Sequence, residues 1–407
     1  MDLVTIPSFF VSIGQRGIRF TSINILNGIE SLLLIRYCDD GVFHICNLSH
    51  RSIIIGKRTS RANFKMQEKV VVIGAGVSGL STAFLLLQKG YQVTIITQAS
   101  IEKWNENDPF FVSPKAGAFW DSVASPSKNH NQKYEAKAYR MLLNIAKTYG
   151  TESGIRLLPD YTYYKTKPAS YQDPWFINHV DGFRYLEKKE LPKDMGFGYV
   201  HIVPAINTSK YLGFLMTKIR QMGGTFKYDQ ISNLSNLYRN ENVSTIFNCS
   251  GLGSIDLVGD KACFPIRGQL VVAKLEKSNC FKMNNDSIPE STGAYCIPRD
   301  DGTVCLGGVY SRGDWNMKTS SADTKGILER VSQLDPQLKS VIDAGKLQIK
   351  VETVGLRPAR INGTRVEAEK ISFPSLPRSN LLLVHNYGIF YSAFNTCFRS
   401  RPLWVPR

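Results

Sequence analysis

The chain has 407 residues, with 50 Lys and Arg against 34 Asp and Glu, a formal charge of +16. At 43% hydrophobic and 21% charged residues it reads as a globular protein with a sizeable core. A small disulfide scaffold, a collagen-like rod, a repeat array and a polytopic membrane protein are excluded. The excess charge is spread out: residues 1–65 carry +4 and residues 388–407 carry +3, which leaves +9 for residues 66–387. No basic stripe, aromatic platform or zinc-finger spacing accompanies it, so nucleic acid is not an expected partner and an anionic substrate suits it better. None of the eight cysteines forms a CxxC and the six histidines lie far apart, so no metal site is expected. Reduced thiols in an intracellular compartment are the simpler account, and the chain opens without a secretory pattern.

Residues 1–65 show no sustained periodicity. Beyond them, Val70 to Leu87 is uncharged and long enough to imitate a membrane span. Its glycines argue instead for a buried strand feeding a buried helix. Val70 to Ile73 form a short apolar strand of the kind covered on both faces in a parallel sheet. Gly74-Ala75-Gly76-Val77-Ser78-Gly79 then reads G-x-G-x-x-G: Gly74 for the tight turn, Gly76 for close approach to a pyrophosphate, Gly79 for helix–sheet packing. A helix is expected over Ser78–Lys89, stopped by Gly90, with its N-terminal N–H groups aimed at phosphates. Tyr91 to Thr97 is the second strand. The acid expected about 20 residues on, to grip ribose hydroxyls, is absent. Thr97 and Gln98 stand there and the first acid is Glu102, so ribose recognition passes to Thr97, Gln98 and backbone groups or is weakened. The motif alone does not separate NAD from FAD.

Farther along, a strand at Thr245–Cys249 leads into Ser250-Gly251-Leu252-Gly253, a second place for close approach to a cofactor. Phe264-Pro265-Ile266-Arg267-Gly268-Gln269 precedes a strand at Leu270–Ala273. Tyr295 to Gly308 reads as a hairpin turning at Asp300-Asp301-Gly302. A helix is expected around Thr324–Leu334. Val354-Gly355-Leu356-Arg357-Pro358-Ala359-Arg360 then sets two guanidiniums three residues apart.

Taken together, VVVIGAGVSGLSTA, SPKAGAFW (Ser113–Trp120), NCSGLGS, PIRGQ, AYCIPR, GGVYSRGDWN, VGLRPAR, RVEAE and VHNYG resemble the D-amino-acid oxidase family of FAD flavoproteins, which also contains the D-aspartate oxidases. They run in family order from about Lys69 to Gly388. The resemblance implies oxidation of a D-amino acid by hydride transfer to flavin N5, with O2 as the final acceptor and hydrogen peroxide, ammonia and a 2-oxo acid as products. The flavin supplies the chemistry and the protein supplies orientation, so no side chain is expected to act as acid or base. By resemblance, Arg357 binds the substrate carboxylate beside the cofactor, a bidentate task suited to a planar guanidinium. Tyr295 meets the same carboxylate. Ala116, Gly117, Ala118, Ser250 and Gly355 match places that touch FAD, and Ile231 is a looser match near the adenine. Arg360 is structural or solvated, and Lys115 intrudes into the Ser113–Trp120 loop.

The expected fold is α/β, a Rossmann-like FAD-binding domain (66–120, 205–275 and 350–388) with a second mixed-sheet substrate domain (121–204 and 276–349). Two stretches depart from the family. Residues 389–407 replace a glycine-rich turn and helix, and are expected to come from a shifted frame or retained intron, which sequencing the transcript would test. Residues 1–65 are an N-terminal extension open to three readings, a targeting segment, an added module or upstream sequence; the last is favoured, and N-terminal peptide mapping would reject it if it found them. Peroxisomal residence follows from resemblance, although the ending Trp404-Val405-Pro406-Arg407 is no peroxisomal tripeptide, and a cytoplasmic location is the alternative. A homodimer is a further expectation. Neutral D-amino acids are favoured over D-aspartate, a non-catalytic family member stays open, and a nicotinamide dehydrogenase is more distant.

Overall fold

The computed structural model describes three strands within residues 33–57 and residues 68–388, except 106–107, 109, 123–128, 170, 276–279, 284–291 and 375. The expectations for the tail 389–407 concern residues outside that description. Contacts part the chain into two compact units, Met1–Met66 and Gln67–Arg407. In the first, Leu33–Tyr37, Val42–Asn47 and Arg51–Lys57 form an antiparallel sheet. The sequence reading found no sustained periodicity there and placed no strands. Short apolar runs such as Ile53 to Ile55, broken by turn residues, carry too little period to detect.

The second unit is built on two sheets. In the six-stranded one, Lys69–Ile73 lies between Gln92–Thr97 and Thr245–Asn248, parallel to both. Thr225–Tyr228 extends one side, and Leu376–Tyr387 with antiparallel Arg365–Phe373 the other. Successive side chains on a strand face opposite ways. Val70 and Val72 therefore pack with Leu80, Phe84, Leu212 and Leu215, while Val71 and Ile73 pack with Leu234 and Leu237. Burial on both faces accounts for the unbroken apolar run. The following helix spans Val77–Gln88, one residue earlier than expected, and the chain leaves it through Gly90 at φ +86°.

The larger sheet has ten strands and is mostly antiparallel. Its longest members, Cys263–Lys274 and Gln348–Arg360, pair along nearly their whole length. Both were expected to lie largely with the dinucleotide fold. Their mutual pairing carries them into the larger sheet, and the strand expected at Leu270–Ala273 begins earlier, at Cys263. Asn129–Tyr149, a helix the sequence reading missed, begins with polar residues that hide its periodicity. Among the described residues, no helix is long and apolar enough to cross a membrane.

The expected hairpin is present as Thr292–Pro298 paired with Thr303–Val309. Gly302 at φ +73° turns the chain, and Asp301 Oδ1 accepts from Thr303 N at 3.0 Å. Helix Ser321–Val331, observed three residues ahead of its expected place, and helix Pro336–Asp343 support it, with Ile327 and Leu338 against Ala294, Cys296 and Leu306. Asp335 caps the second helix, its Oδ1 accepting from Gln337 N at 2.7 Å and Leu338 N at 3.0 Å. Asp335→Ala is expected to cost about 1–2 kcal/mol, as loss of an N-cap does. A urea midpoint equal to that of the parent chain would contradict this.

Candidate active site

The turn after Lys69–Ile73 shows why glycine is needed. Gly74 sits at φ +101° and donates to Ile96 O at 2.8 Å. A Cβ on Gly74 would lie 2.7 Å from Cys249 O, so only glycine lets the turn nestle against the end of the neighbouring strand. A Cβ on Gly79 would collide with the Gly74 carbonyl oxygen. Gly79 thus seats the helix on the turn and is not part of the cavity wall, whereas Gly74, Ala75, Gly76, Val77 and Ser78 are. Two of the N–H groups near the helix start are already taken. Ala75 N donates to Thr97 Oγ1 at 3.2 Å, and Val77 N to Ser113 Oγ at 3.1 Å. Thr97 Oγ1 in turn donates to Ala99 O at 2.6 Å. Thr97 lines the cavity as well, and its hydroxyl braces the glycine turn. Gln98 beside it is exposed and lines the cavity.

That cavity, about 1400 Å³, is lined both by the glycine turn and by the other predicted residues: Ala116, Gly117, Ala118, Ile231, Ser250, Tyr295, Gly355 and Arg357. Pockets for single drug-sized ligands run to roughly 300–1,000 Å³, so the space suits something longer. Near Gly117 even a methyl is excluded, because it would collide with Cys305 Sγ. Ser250 is fixed by Asn248 Oδ1, which accepts from its N–H at 3.1 Å and from its hydroxyl at 2.7 Å. The acid missing after the second strand has a neighbour in place of it: Asp229, just past Thr225–Tyr228, lines the cavity and donates its N–H to Thr97 O at 3.0 Å.

Arg357 projects from strand Gln348–Arg360 across Gly268 on the paired strand, where any Cβ would collide with the guanidinium. Its Nη1 donates to Val309 O at 2.9 Å and the group lies 4.6 Å over the Tyr310 ring. Tyr295 likewise lies over Gly307 and Gly308, which leave no room for a side chain. It is hydrogen-bonded to Tyr310, and burial pushes its hydroxyl well above the ordinary tyrosine range, so it stays protonated at neutral pH. Sequence reasoning missed Tyr310 and the glycines beneath both side chains, although GGVY and RGQ carried the signal. It also missed two supports. Arg330 donates to Gly293 O and Gly308 O at 3.1 Å each, bracing the hairpin around Tyr295. Buried Arg267 donates to Asn316 O at 2.9 Å and Lys318 O at 2.7 Å, holding the loop that brings Trp315 to the cavity.

Lys115, expected to intrude at the cofactor's edge, is buried in the cavity wall, its Nζ donating to Val354 O at 2.9 Å. Arg360 is structural, with its Nε on Asp260 Oδ2 at 2.9 Å. The glycine turn, Tyr295 and Arg357 thus line one cavity. It is a cleft walled by the glycine turn and by a planar cation fixed on the Tyr310 ring.

A dinucleotide-type α/β fold sharing one cleft with a mixed sheet defines the class, that of two-sheet flavoproteins. Residues 69–397 match the model of the FAD dependent oxidoreductase family, and the chain belongs to that family. Its relatives include the D-amino-acid oxidases of Rubrobacter xylanophilus, 28% identical over 79% of this chain and 89% of that protein, and Schizosaccharomyces pombe, 29% identical over 78% and 90%. Similar solved structures include glycine oxidase from Geobacillus kaustophilus, with a TM-score of 0.59 at 15% identity over 82% of this chain and 92% of that one. FAD-bound L-alpha-glycerophosphate oxidase from Mycoplasma pneumoniae gives 0.60 at 14% identity over 82% and 93%. The chain is thus an FAD-dependent oxidoreductase, and the glycine-walled cleft fits that cofactor.

Proposed function

We propose that the chain carries out oxidative deamination of D-amino acids, converting substrate, O2 and water into a 2-oxo acid, ammonia and hydrogen peroxide. The observation that carries this reading is the placing of Arg357, pinned by Val309 O and stacked on Tyr310, in the cavity the glycine turn also lines. Bound FAD would supply the redox chemistry between the substrate and O2.

The protein's own part is to hold and orient. Gly74 to Ser78, Gln98, Ala116 to Ala118, Ile231, Ser250 and Gly355 would hold the cofactor, with Asp229 placed to meet ribose hydroxyls in the absence of an acid after the second strand. The six-stranded sheet would carry most of the FAD site and the larger sheet the substrate, with Ala118 and Gly355 meeting the cofactor from the larger sheet. Arg357 would clasp the carboxylate through two parallel N–H bonds, and the protonated Tyr295 would donate a third in exchange for its bond to Tyr310. Such fixing of the reactant supplies rate by orientation alone.

The test is direct. Purified with FAD, the chain should be yellow, lose that absorbance with D-alanine under anaerobic conditions, and release peroxide in air. A protein that FAD cannot restore to colour, or one that is bleached by L-alanine and not by D-alanine, would overturn the reading. Tyr295→Phe is expected to raise KM about five- to tenfold, the worth of one hydrogen bond of about 1–1.5 kcal/mol, while FAD absorbance is kept. An unchanged KM would remove Tyr295 from the site. By resemblance the chain is also read as peroxisomal and dimeric, which cell fractionation and sedimentation would check.

A further inference from the structure

We propose that Arg299 is a positioning residue, setting the hairpin that carries Tyr295 against the loop assigned above to the cofactor. The proposal rests on the oxidase reading and adds what aligns the two halves of its site.

The loop from Ser113 to Ala118 reaches the cavity through Ala116, Gly117 and Ala118. Its carbonyl at Ala116 is gripped by two donors. Thr208, fully buried at the start of helix Thr208–Gln221, shares its hydroxyl between Pro114 O at 2.7 Å and Ala116 O at 3.0 Å. From the hairpin, Arg299 Nη2 donates to the same Ala116 O at 3.2 Å. A hydroxyl has a single proton and Pro114 O lies nearer to it, so Ala116 O depends on the guanidinium.

Little else claims that guanidinium. Among the described residues, Ala116 O is the one hydrogen-bond acceptor it meets, and its Nε is buried without a partner. Burying an unpaired N–H is costly, so stability alone is a poor account of where this side chain lies. The hairpin puts it there. Arg299 directly follows strand Thr292–Pro298, its N–H donates to Thr303 O at 2.8 Å, and Arg156 Nη1 donates to Arg299 O at 3.4 Å. Asn207, next to Thr208, ties the hairpin's tip, with its Nδ2 on Asp300 Oδ1 at 2.9 Å and Asp301 Oδ2 at 3.1 Å. Hairpin and loop also touch at Gly117, where a Cβ would collide with Cys305 Sγ and lie 3.4 Å from Ile297 Cδ1. That contact limits how near the two pieces come, and the directional bond from Arg299 sets how they are aligned. Alignment is what this protein contributes to the reaction, and a displacement of about 1 Å at the reacting centre costs about a hundredfold in rate.

Arg299→Met keeps the apolar stem and removes the donor. FAD should then bind the apoprotein about tenfold more weakly, and saturating D-alanine should bleach the flavin about tenfold more slowly without air, the size of one charge-assisted hydrogen bond. Benzoate affinity should match the parent, because Tyr295 and Arg357 both belong to the larger sheet. Arg299→Lys returns a donor and should recover part of both losses. Arg299→Gln, whose shorter amide stops where Nε now lies, should show the same losses if the methionine variant does not fold. Arg156→Met loosens the same hairpin without touching the cofactor loop, and should leave FAD binding and bleaching unchanged. Parent values in the Arg299 variants, or equal losses in Arg156→Met, would overturn the proposal. A parent holoenzyme that D-alanine cannot bleach would instead bring down the oxidase reading, while the FAD titrations would still decide whether Arg299 holds the cofactor loop.

Discussion

Replacing Arg357 by methionine is expected to lower kcat/KM for D-alanine about a thousandfold while flavin absorbance is retained. Removing one partner of a hydrogen-bonded charge pair costs about 2–5 kcal/mol, and each 1.4 kcal/mol is a factor of ten. The stem of methionine can still lie across Gly268, so the packing that places the residue survives and the charge is what is lost. Arg357→Lys should recover only part of the rate. A lysine keeps the charge but neither the planar fork nor its hold on Val309 O and the Tyr310 ring. Steady-state kinetics together with titration by benzoate, a planar carboxylate, separates substrate binding from catalysis. A methionine variant within about tenfold of the parent rate would show that the carboxylate is held elsewhere, since a single surface ion pair is worth no more than that.

Gly79→Val is expected to abolish recovery of flavin-containing protein. The first carbon of any side chain there collides with the Gly74 carbonyl oxygen, which belongs to a turn already fixed at φ +101° and bonded to Ile96. Neither side can yield, because Leu80 and Phe84 pin the helix in the same core as Val70 and Val72. Overpacking costs about 1–3 kcal/mol even where neighbours can move, and here the obstacle is backbone. The helix would have to leave the turn that shapes the phosphate end of the cleft. Gly213, in the helix Thr208–Gln221, is the contrasting case, since a Cβ there meets nothing within 4 Å. Gly213→Ala should preserve flavin content and raise stability by about 0.5–1 kcal/mol. Thermal melts and the ratio of flavin to protein absorbance would check both variants, and a Gly79→Val protein of full colour would refute the packing argument.

The dinucleotide fold was legible because its constraints sit in consecutive residues. Strand, turn and helix between Lys69 and Gln88 are each demanded by local sterics, and the hairpin at Asp301-Gly302 announced itself in the same way. The family was legible because its motifs recur in order along the chain. Neither source of information reaches across the sheets. Thr97 stood where a ribose ligand was sought, yet its hydroxyl is engaged between Ala75 and Ala99, an outcome set by how the second strand lies beside the turn. Lys115 looked like an intrusion and is accommodated against Val354, a residue 239 positions away.

The chain's sequence by itself placed a glycine turn between a strand and a helix, and the order of its motifs led to the expectation that Arg357 meets a substrate acid. Only the tertiary structure decided how that cation is held and what faces it. Gly268 opens its lane through the register of two strands, and Tyr310 supports it through its ring. Each of these contacts joins residues far apart in the chain, and strand register sets them, so no pattern of neighbouring letters records them.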